Sequence, residues 1–145
     1  MFLNPSVAIQ RNFRHENVAT IGGTRAVPRI LVIDDDEIAL RIAVAACRDT
    51  GMDADSAGDL DAVRPLVAAN RYDAIILDHH VGSMLGHEIL EEVADRLAQA
   101  VLIVITADTS EAVRERYARI GAVRLVLKPL SRPALAAEIK EAMDG

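Results

Sequence analysis

The chain has 145 residues and a formal net charge of −6 at pH 7, and this length suits a single domain. Hydrophobic residues make up 51% of it, and no apolar run approaches the roughly 20 residues that a membrane span needs. The acidic excess lies after Pro28, which argues against nucleic-acid phosphates as the main partner. Cys47 is the only cysteine, which excludes an internal disulfide framework and fits a reducing compartment. We therefore expect a cytoplasmic protein that has no membrane segment and does not bind DNA directly.

Residues 1–27 show no sustained hydrophobic period and contain the loop-forming pairs Asn4-Pro5 and Gly22-Gly23. We expect a flexible N-terminal extension here, with a short helix around Ser6–Phe13, followed by one domain over residues 28–145. The extension has no continuous apolar stretch, so it does not resemble a secretory signal. Its arginines leave open a transit peptide or a contact with an anionic partner, although a passive extension is the favoured interpretation.

The first half of the domain predicts two strand–helix pairs and a third strand. In chain order these are strand Arg29–Ile33, helix Ile38–Asp49, edge strand Asp53–Ala57, helix Asp59–Asn70 and strand Ala74–Leu77. The first helix is expected to end before Gly51 and to bury one apolar face, made of Ile38, Ile42, Ala45 and Ala46. Cys47 on this helix is expected to be a buried, inert thiol. Pro65 should kink the second helix or delay its start.

The second half continues the alternation. In chain order the predicted segments are helix Gly86–Gln99, strand Val101–Ile105, helix Ser110–Ile120, strand Arg124–Leu127 and helix Ser131–Met143. The third helix is expected to bury Ile89, Leu90, Val93 and Leu97. Ser110 and Ser131 are expected to cap the last two helices. Strands and helices that alternate at this spacing predict right-handed crossovers and a parallel sheet with helices on both faces.

Polar side chains follow four of the five predicted strands. They are Asp34 and Asp35 after the first strand, Asp78 after the third, Thr106 after the fourth and Lys128 after the fifth. The carboxyl ends of parallel strands share one edge of a sheet, so these side chains can converge. Three carboxylates this close would repel one another, and a hard cation such as Mg²⁺ relieves the repulsion. A lysine and a hydroxyl beside the metal suit a transferred phosphoryl group, with the central Asp78 as its nucleophilic acceptor.

Four segments carry a resemblance to a known family. They are ILVIDDDE, YDAIILD with Gly86 eight residues beyond Asp78, VLIVITA and GAVRLVLKPL. In this order and spacing they resemble the receiver domain of bacterial two-component response regulators, from about Pro28 to Asp144. The resemblance implies an α/β, flavodoxin-like (βα)5 fold, a doubly wound parallel sheet with strand order 2-1-3-4-5. It also implies that Asp78 accepts a phosphoryl group from a histidine kinase or a histidine phosphotransfer protein.

The resemblance also implies roles for the residues at the strand ends. Asp35, Asp78 and the backbone carbonyl of His80 would hold Mg²⁺ directly, and Asp34 would act through a water molecule. With Mg²⁺ bound, the chain would catalyse its own phosphorylation from a phosphodonor. No other enzymatic activity is expected.

The phosphoryl oxygens would be bound by three groups further along the chain, namely the Thr106 hydroxyl, the backbone N–H of Ala107 and the Lys128 ammonium. The bond between Lys128 and Pro129 would be cis, as it is in the family. His80 and Asp108 occupy loop positions from which the family tunes the lifetime of the phosphoryl group.

Three positions depart from the family pattern. Gly82 replaces a usual proline, which predicts a more mobile loop after Asp78. Leu125 replaces the switch aromatic, and Leu130 replaces a common phenylalanine. Thr106 therefore lacks its usual aromatic partner. Two functions stay open: a stand-alone phosphorylatable module that acts through protein contacts or a phosphorelay, and a degenerate receiver that serves as a constitutive binding scaffold.

Some of these residues also have plainer interpretations. Asp34–Asp36 can be a cluster at the start of a helix, and Asp36 is expected to be its N-cap. Lys128 can be a solvated lysine at a strand end. His79 and His80 are adjacent, so their side chains point apart and lack the spacing of metal ligands. His87 is expected on the surface of the third helix.

The output surface implied by the resemblance comprises the fourth helix, the fifth strand and the fifth helix. Its charged residues are Arg114, Arg116, Arg119, Glu138 and Glu141. A face of mixed charge suits specific pairing with a protein, either an unknown downstream partner or a second copy of the chain. Two enzyme classes are disfavoured, because His80 stands where haloacid-dehalogenase phosphatases need a second aspartate and no G-x-G-x-x-G follows the first strand.

Overall fold

A computed structural model describes residues 20–21, 24–25, 27–108, 110–128 and 130–144. These residues build a central sheet with helices on both of its faces. The strands of the sheet are β1 (Arg29–Ile33), β2 (Asp53–Ala57), β3 (Ala74–Asp78), β4 (Val101–Thr106) and β5 (Arg124–Leu127). The helices that follow them are α1 (Glu37–Asp49), α2 (Leu60–Ala69), α3 (Gly86–Glu92), α4 (Glu111–Ile120) and α5 (Arg132–Asp144).

Neighbouring strands of the sheet run parallel in the order β2-β1-β3-β4-β5. The order reverses at β1, which lies between β2 and β3, so the predicted doubly wound, flavodoxin-like fold is confirmed. The register pairs Asp78 with Ile105 and Thr106 with Leu127. The strand ends that carry the predicted polar residues therefore meet at one edge of the sheet.

Alternate residues of the central strands pack into two apolar layers. Leu31 and Leu77 belong to the layer that α2, α3 and α4 cover, whereas Ile30 and Ile76 belong to the layer under α1 and α5. Because side chains of a strand alternate between its two faces, a strand buried on both sides has no polar positions. This arrangement explains the uninterrupted apolar runs of β3 and β4.

The buried face of α1 differs from the prediction. Ala46 is buried as predicted, but Ile38 and Ile42 are 68% and 37% exposed. Ala43 and Cys47 are buried with Ala46 instead. The two stripes are offset by one residue, which is a rotation of about 100° around the helix axis. The small residues face the sheet and α5, where they allow close packing. The prediction of a buried Cys47 is confirmed, and burial raises the pKa of its thiol to about 12.

The third predicted helix is interrupted. α3 ends at Glu92, and a separate single turn follows over Ala94–Leu97. Val93 between them has φ −128° and ψ 18°, which lies outside the helical region. The apolar positions expected to be buried are nonetheless buried, because the turn continues along the same side of the sheet. The sequence has no glycine or proline at this point that would signal the break.

The serine and glycine caps of the other helices agree with the predictions. The Ser110 side chain accepts the Val113 N–H at the start of α4, and the Ser131 hydroxyl accepts the Ala134 N–H at 3.3 Å at the start of α5. Asp59, which was predicted as the first residue of the second helix, instead caps α2 with its side chain. Gly51 and Gly121 have φ values of 81° and 99° just after α1 and α4, which is the left-handed conformation typical of a glycine helix stop. α2 runs through Pro65 and begins directly after its cap, so the proline does not delay its start.

Part of the predicted N-terminal extension has regular structure. Thr20–Ile21 pairs in antiparallel fashion with Thr24–Arg25. The helix predicted around Ser6–Phe13 lies outside the described residues, and the domain boundary at residue 28 stays a prediction. None of the helices in the described part of the chain is long and apolar enough to cross a membrane.

Candidate functional site

Three carboxylates meet at the carboxyl edge of the sheet, as predicted. Asp34 and Asp35 follow β1, Asp78 ends β3, and one carboxylate oxygen from each lies within 4.8 Å of the others. Asp34 and Asp78 are each only 7% exposed, whereas Asp35 is exposed. A cavity of about 200 Å³ opens beside Asp34 and Asp78. This donor set consists of hard oxygens that converge from two rigid strand ends, so it can hold a divalent cation.

The pKa of Asp34 is raised in this cluster. Burial raises the pKa of Asp34 from 3.8 to about 6, and the nearby charge of Asp78 adds to the effect. A hydrogen bond from the Asp36 N–H to Asp34 Oδ1, at 3.0 Å, works in the opposite direction. The predicted role of Asp36 as the N-cap of α1 is confirmed, because its side chain accepts N–H groups of the first turn. A cation at the cluster would relieve the repulsion that Asp34 experiences.

Lys128 supplies one positive charge to the cluster. Its Nζ donates to Asp78 Oδ2 at 2.9 Å, so it is not a freely solvated lysine. Burial disfavours the charged form of this lysine, but the hydrogen bond and charge of Asp78, together with Asp34, outweigh burial and raise the pKa of Lys128. The ammonium is therefore fully charged near neutral pH and neutralises part of the carboxylate cluster.

Thr106 ends β4 and is buried at the same edge. Its Oγ1 accepts the N–H of Asp108 at 2.9 Å, which turns the chain sharply after the strand. The Asp108 carboxylate in turn accepts the N–H of Ser110 at 2.8 Å, and this backbone hydrogen bond lowers the pKa of Asp108. Asp108 thus supports the start of α4, and Ala107 between the two residues is exposed.

The segment after Asp78 is a short hairpin. His80–Val81 pairs with Met84–Leu85, and Gly82 at the tip has φ 61°, a conformation that favours glycine. His80 is exposed at the base of the hairpin, as its loop position suggested. The peptide bond between Lys128 and Pro129 lies outside the described residues.

Gly86 lies directly against the end of β3. A Cβ on this glycine would lie 2.6 Å from the Asp78 carbonyl oxygen and 2.9 Å from the Leu77 side chain. The Gly86 N–H donates to the His79 carbonyl at 2.7 Å, so the start of α3 is fastened directly to the end of β3. The spacing of Gly86 from Asp78 contributed to the resemblance, and the reason for a glycine is the absence of room for a side chain.

A buried group of two histidines and a tyrosine lies behind the carboxylates and was not predicted. His79 Nδ1 lies 2.7 Å from the Tyr117 hydroxyl, and the His87 backbone N–H donates to the same hydroxyl at 3.1 Å. His87 is only 8% exposed, so the expectation of a surface histidine is wrong. Its ring centroid lies 6.2 Å from that of Tyr117 on α4. Burial and the neighbouring His80 lower the pKa of His79.

Some charged residues of the expected output surface form ion pairs within the chain. Arg124 on β5 forms ion pairs with Glu138, at 3.8 Å, and with Glu141. Arg119 lies 4.0 Å from Glu115 within α4. Leu125 is buried beside Arg124 and offers neither an aromatic ring nor a hydroxyl. Arg114 and Arg116 lie on α4, where Arg116 is exposed and Arg114 is half-buried.

Comparisons with curated proteins agree with this architecture. The family model of the response regulator receiver domain matches residues 30–140. The chain is 28% identical over 117 residues to the aerobic respiration control sensor protein ArcB of Escherichia coli K12, a match that covers 79% of this chain and 15% of ArcB. It is 27% identical over 115 residues to the two-component response regulator ORR41 of Oryza sativa subsp. japonica, covering 77% of this chain and 91% of that protein. The chain therefore spans less than a sixth of the length of ArcB.

A solved structure shows the same fold. The chemotaxis protein CheY4 of Vibrio cholerae, crystallized at low pH, aligns with a TM-score of 0.73 over 81% of this chain and 99% of that chain. The two sequences are 20% identical, so this likeness concerns the architecture of the sheet and helices.

Proposed function

The chain belongs to the response regulator receiver domain family, and we propose that Asp78 is the residue on which it is phosphorylated. The single observation that carries the proposal is the contact at the end of β3. A buried carboxylate, Asp78, lies 2.9 Å from the Lys128 ammonium and belongs to a cluster of three carboxylates. This arrangement offers a nucleophile, a cation for the phosphoryl oxygens and a place for a metal ion.

Mg²⁺ is the metal that we propose for the cluster. Asp34, Asp35 and Asp78 would hold it, and the backbone carbonyl of His80 could complete the set. The chemistry of these donors fits, since Mg²⁺ prefers carboxylate and carbonyl oxygens. When bound, the ion would neutralise charge that develops on the transferred phosphoryl group.

In the proposed reaction, a carboxylate oxygen of Asp78 attacks the phosphorus of a phosphohistidine in a donor protein. The O–P bond forms as the P–N bond breaks, and the bonding electrons leave with the imidazole of the donor, which takes up a proton. Lys128 then pairs with a phosphoryl oxygen in place of the carboxylate, and the Thr106 hydroxyl and the Ala107 N–H bind the others. The donor is a histidine kinase or a histidine phosphotransfer protein.

We propose further that the receiver works on its own, through contacts with another protein or as one station of a phosphorelay. The relative ORR41 supports this, because the match covers 91% of that protein. The surface of α4, β5 and α5 would contact the downstream protein or a second copy of the chain. The match to ArcB supports the alternative that such a domain also occurs within longer sensor proteins.

A constitutive binding scaffold is the second candidate, and Leu125 favours it. Its buried side chain lacks the ring and the hydroxyl that would let β5 respond to a phosphoryl group. Incubation with acetyl phosphate and Mg²⁺, followed by mass spectrometry, separates the two functions. We expect a mass gain of one phosphoryl group that disappears in Asp78→Asn and persists in Asp36→Asn, which preserves the helix cap. No gain in the wild-type protein would support the scaffold, and a gain that survives Asp78→Asn would move the acceptor elsewhere.

A further inference from the structure

The Tyr117 hydroxyl joins three separate parts of the chain. Tyr117 is a completely buried residue of α4, with 0% exposure. Its oxygen lies 2.7 Å from Nδ1 of His79, the residue after the acceptor, and 3.1 Å from the backbone nitrogen of His87 in the first turn of α3. The end of β3, the start of α3 and the middle of α4 therefore meet at one oxygen atom.

The direction of these two hydrogen bonds can be assigned. The His87 N–H can only donate, so the Tyr117 hydroxyl accepts from it. The proton of a buried hydroxyl is almost always bonded, and His79 Nδ1 is the acceptor at 2.7 Å. His79 therefore carries its ring proton on Nε2. In this arrangement the hydroxyl accepts one bond and donates the other, so it acts as a bridge.

His79, which accepts the hydrogen bond of the Tyr117 hydroxyl, is held rigidly beside Asp78. The His79 N–H donates to the Ile105 carbonyl at 3.0 Å, and its own carbonyl accepts the Gly86 N–H at 2.7 Å. His79 is thus fixed to β4 and α3 through its backbone and to α4 through its side chain. A displacement of the chain directly after Asp78 must move the imidazole against Tyr117.

Among the described residues, β5 and the loop after Thr106 provide no hydrogen bond from the site to the middle of α4. Leu125 in β5 has no polar group. The Thr106 hydroxyl bonds the N–H of Asp108, whose carboxylate bonds the N–H of Ser110, so this path reaches only the first residue before α4. Tyr117, by contrast, lies in the helix whose exposed face carries Arg116 and Arg119.

We propose that Tyr117 is a positioning residue that couples the segment after the acceptor to α4, in place of a switch aromatic in β5. This inference rests on the proposed function, because it names the route by which the state of Asp78 reaches the surface. A protein partner would then read the phosphorylated state on the exposed face of α4.

The test compares Tyr117→Phe with Tyr72→Phe. Tyr72 is also buried, and its hydroxyl bonds Asp55 at 2.7 Å near the other end of β3, so both variants lose one buried hydroxyl. Without any phosphoryl mimic, Tyr117→Phe should lower hydrogen-exchange protection roughly tenfold at the His87 amide and also along α4. The ¹⁵N resonances of the His79 ring should shift as its Nδ1 loses the bond. Tyr72→Phe should leave all three unchanged.

Addition of beryllofluoride and Mg²⁺ completes the test. In the wild-type protein and in Tyr72→Phe, amide shifts should change around Asp78 and Thr106 and along α4. In Tyr117→Phe the changes near the acceptor should remain, and those in α4 should be lost. His79→Phe keeps a ring but removes the nitrogen that accepts the hydrogen bond of the Tyr117 hydroxyl. It should therefore give the same amide-shift changes as Tyr117→Phe.

The possible results separate the two proposals. An α4 response to beryllofluoride that is the same in Tyr117→Phe and in the wild type overturns the coupling and leaves the acceptor assignment standing. If beryllofluoride binds none of the proteins, the proposed function fails and the exchange data decide the coupling alone. In Tyr117→Phe, a loss of hydrogen-exchange protection confined to the His87 amide then overturns the coupling. A joint loss at His87 and in α4 supports the coupling.

Discussion

Lys128 Nζ donates to Asp78 Oδ2 at 2.9 Å, so the carboxylate at the end of β3 is already paired with a cation from β5. The two residues are 50 positions apart in sequence and come together because β3, β4 and β5 are consecutive in the sheet. A phosphoryl group on Asp78 would take over this cation. The energetic cost of the site falls instead on Asp34, which forms no direct ion pair with a described residue and whose pKa is raised by burial.

Replacement of Asp34 should therefore stabilise the fold. Its pKa is about 6 in the folded protein and 3.8 when solvated, so the folded state binds more protons between these values and loses stability as the pH rises from 4 to 6. Asp34→Asn removes the ionisation, and we expect its free energy of unfolding to exceed that of the wild type by about 1–3 kcal/mol at pH 7.5 in EDTA. The difference should vanish near pH 4. Urea denaturation at both pH values measures it, and a constant difference would contradict the assignment to Asp34.

Binding of Mg²⁺ should depend on the same group. The metal competes with the proton on Asp34, so its affinity should fall roughly tenfold per pH unit below pH 6. Melting temperatures with millimolar Mg²⁺ should rise at pH 7.5 and change little at pH 5. Asp35→Asn should weaken the response at pH 7.5, whereas Asp36→Asn should retain it. Equal responses in Asp35→Asn and the wild type would place the metal outside the three-carboxylate cluster.

Gly86 should tolerate no side chain. In Gly86→Ala the new methyl group would lie 2.6 Å from the Asp78 carbonyl oxygen, which forces the end of β3 and α3 apart. We expect the free energy of unfolding to fall by about 1–3 kcal/mol. Gly58→Ala is a matched control, because its methyl group would lie 3.8 Å from the nearest atom, the Asp34 carbonyl oxygen, and should change stability by less than about 1 kcal/mol. Chemical denaturation of both variants checks this, and equal stabilities would show that the strand end can yield.

The N-terminal extension should be dispensable for the fold. Residues 1–27 offer no periodic apolar face, and the sheet begins at β1. A chain that begins at Pro28 should unfold at the same urea concentration as the full chain. A lower midpoint with an unchanged denaturant slope would mean that the extension packs against the domain.

The parts of the fold that follow from local pattern were predictable. Uninterrupted apolar runs located β3 and β4, and the polar residues after them predicted the convergence at one edge. The buried face of α1 was not predictable, because two neighbouring stripes are both apolar and only tertiary packing selects Ala43 over Ile42. The break at Val93 likewise has no local signal.

The bridge at Tyr117 illustrates a second limit. The spacing of Tyr117 from Val113 indicates a buried position on α4, but no pattern within a helix names a partner 38 residues away. The expectation that His87 lies on the helix surface failed in the same way, because its contact with Tyr117 joins two elements 30 residues apart. Hydrogen bonds between distant elements become visible only in the assembled fold.

The position of β1 between β2 and β3 also affects how the chain folds as it is synthesised. Neighbouring strands of this sheet are parallel, so no pair can form as a local hairpin. The chain must therefore lose the entropy of closing a long loop before the contacts between two strands can stabilise it. A nascent chain that ends at Ala57 can pair β1 with β2, but the other edge of β1 stays open until β3 has emerged. This edge presents the unpaired backbone N–H and C=O groups of Ile30 to Ile33, on which another nascent chain could add a strand, until β3 occupies them.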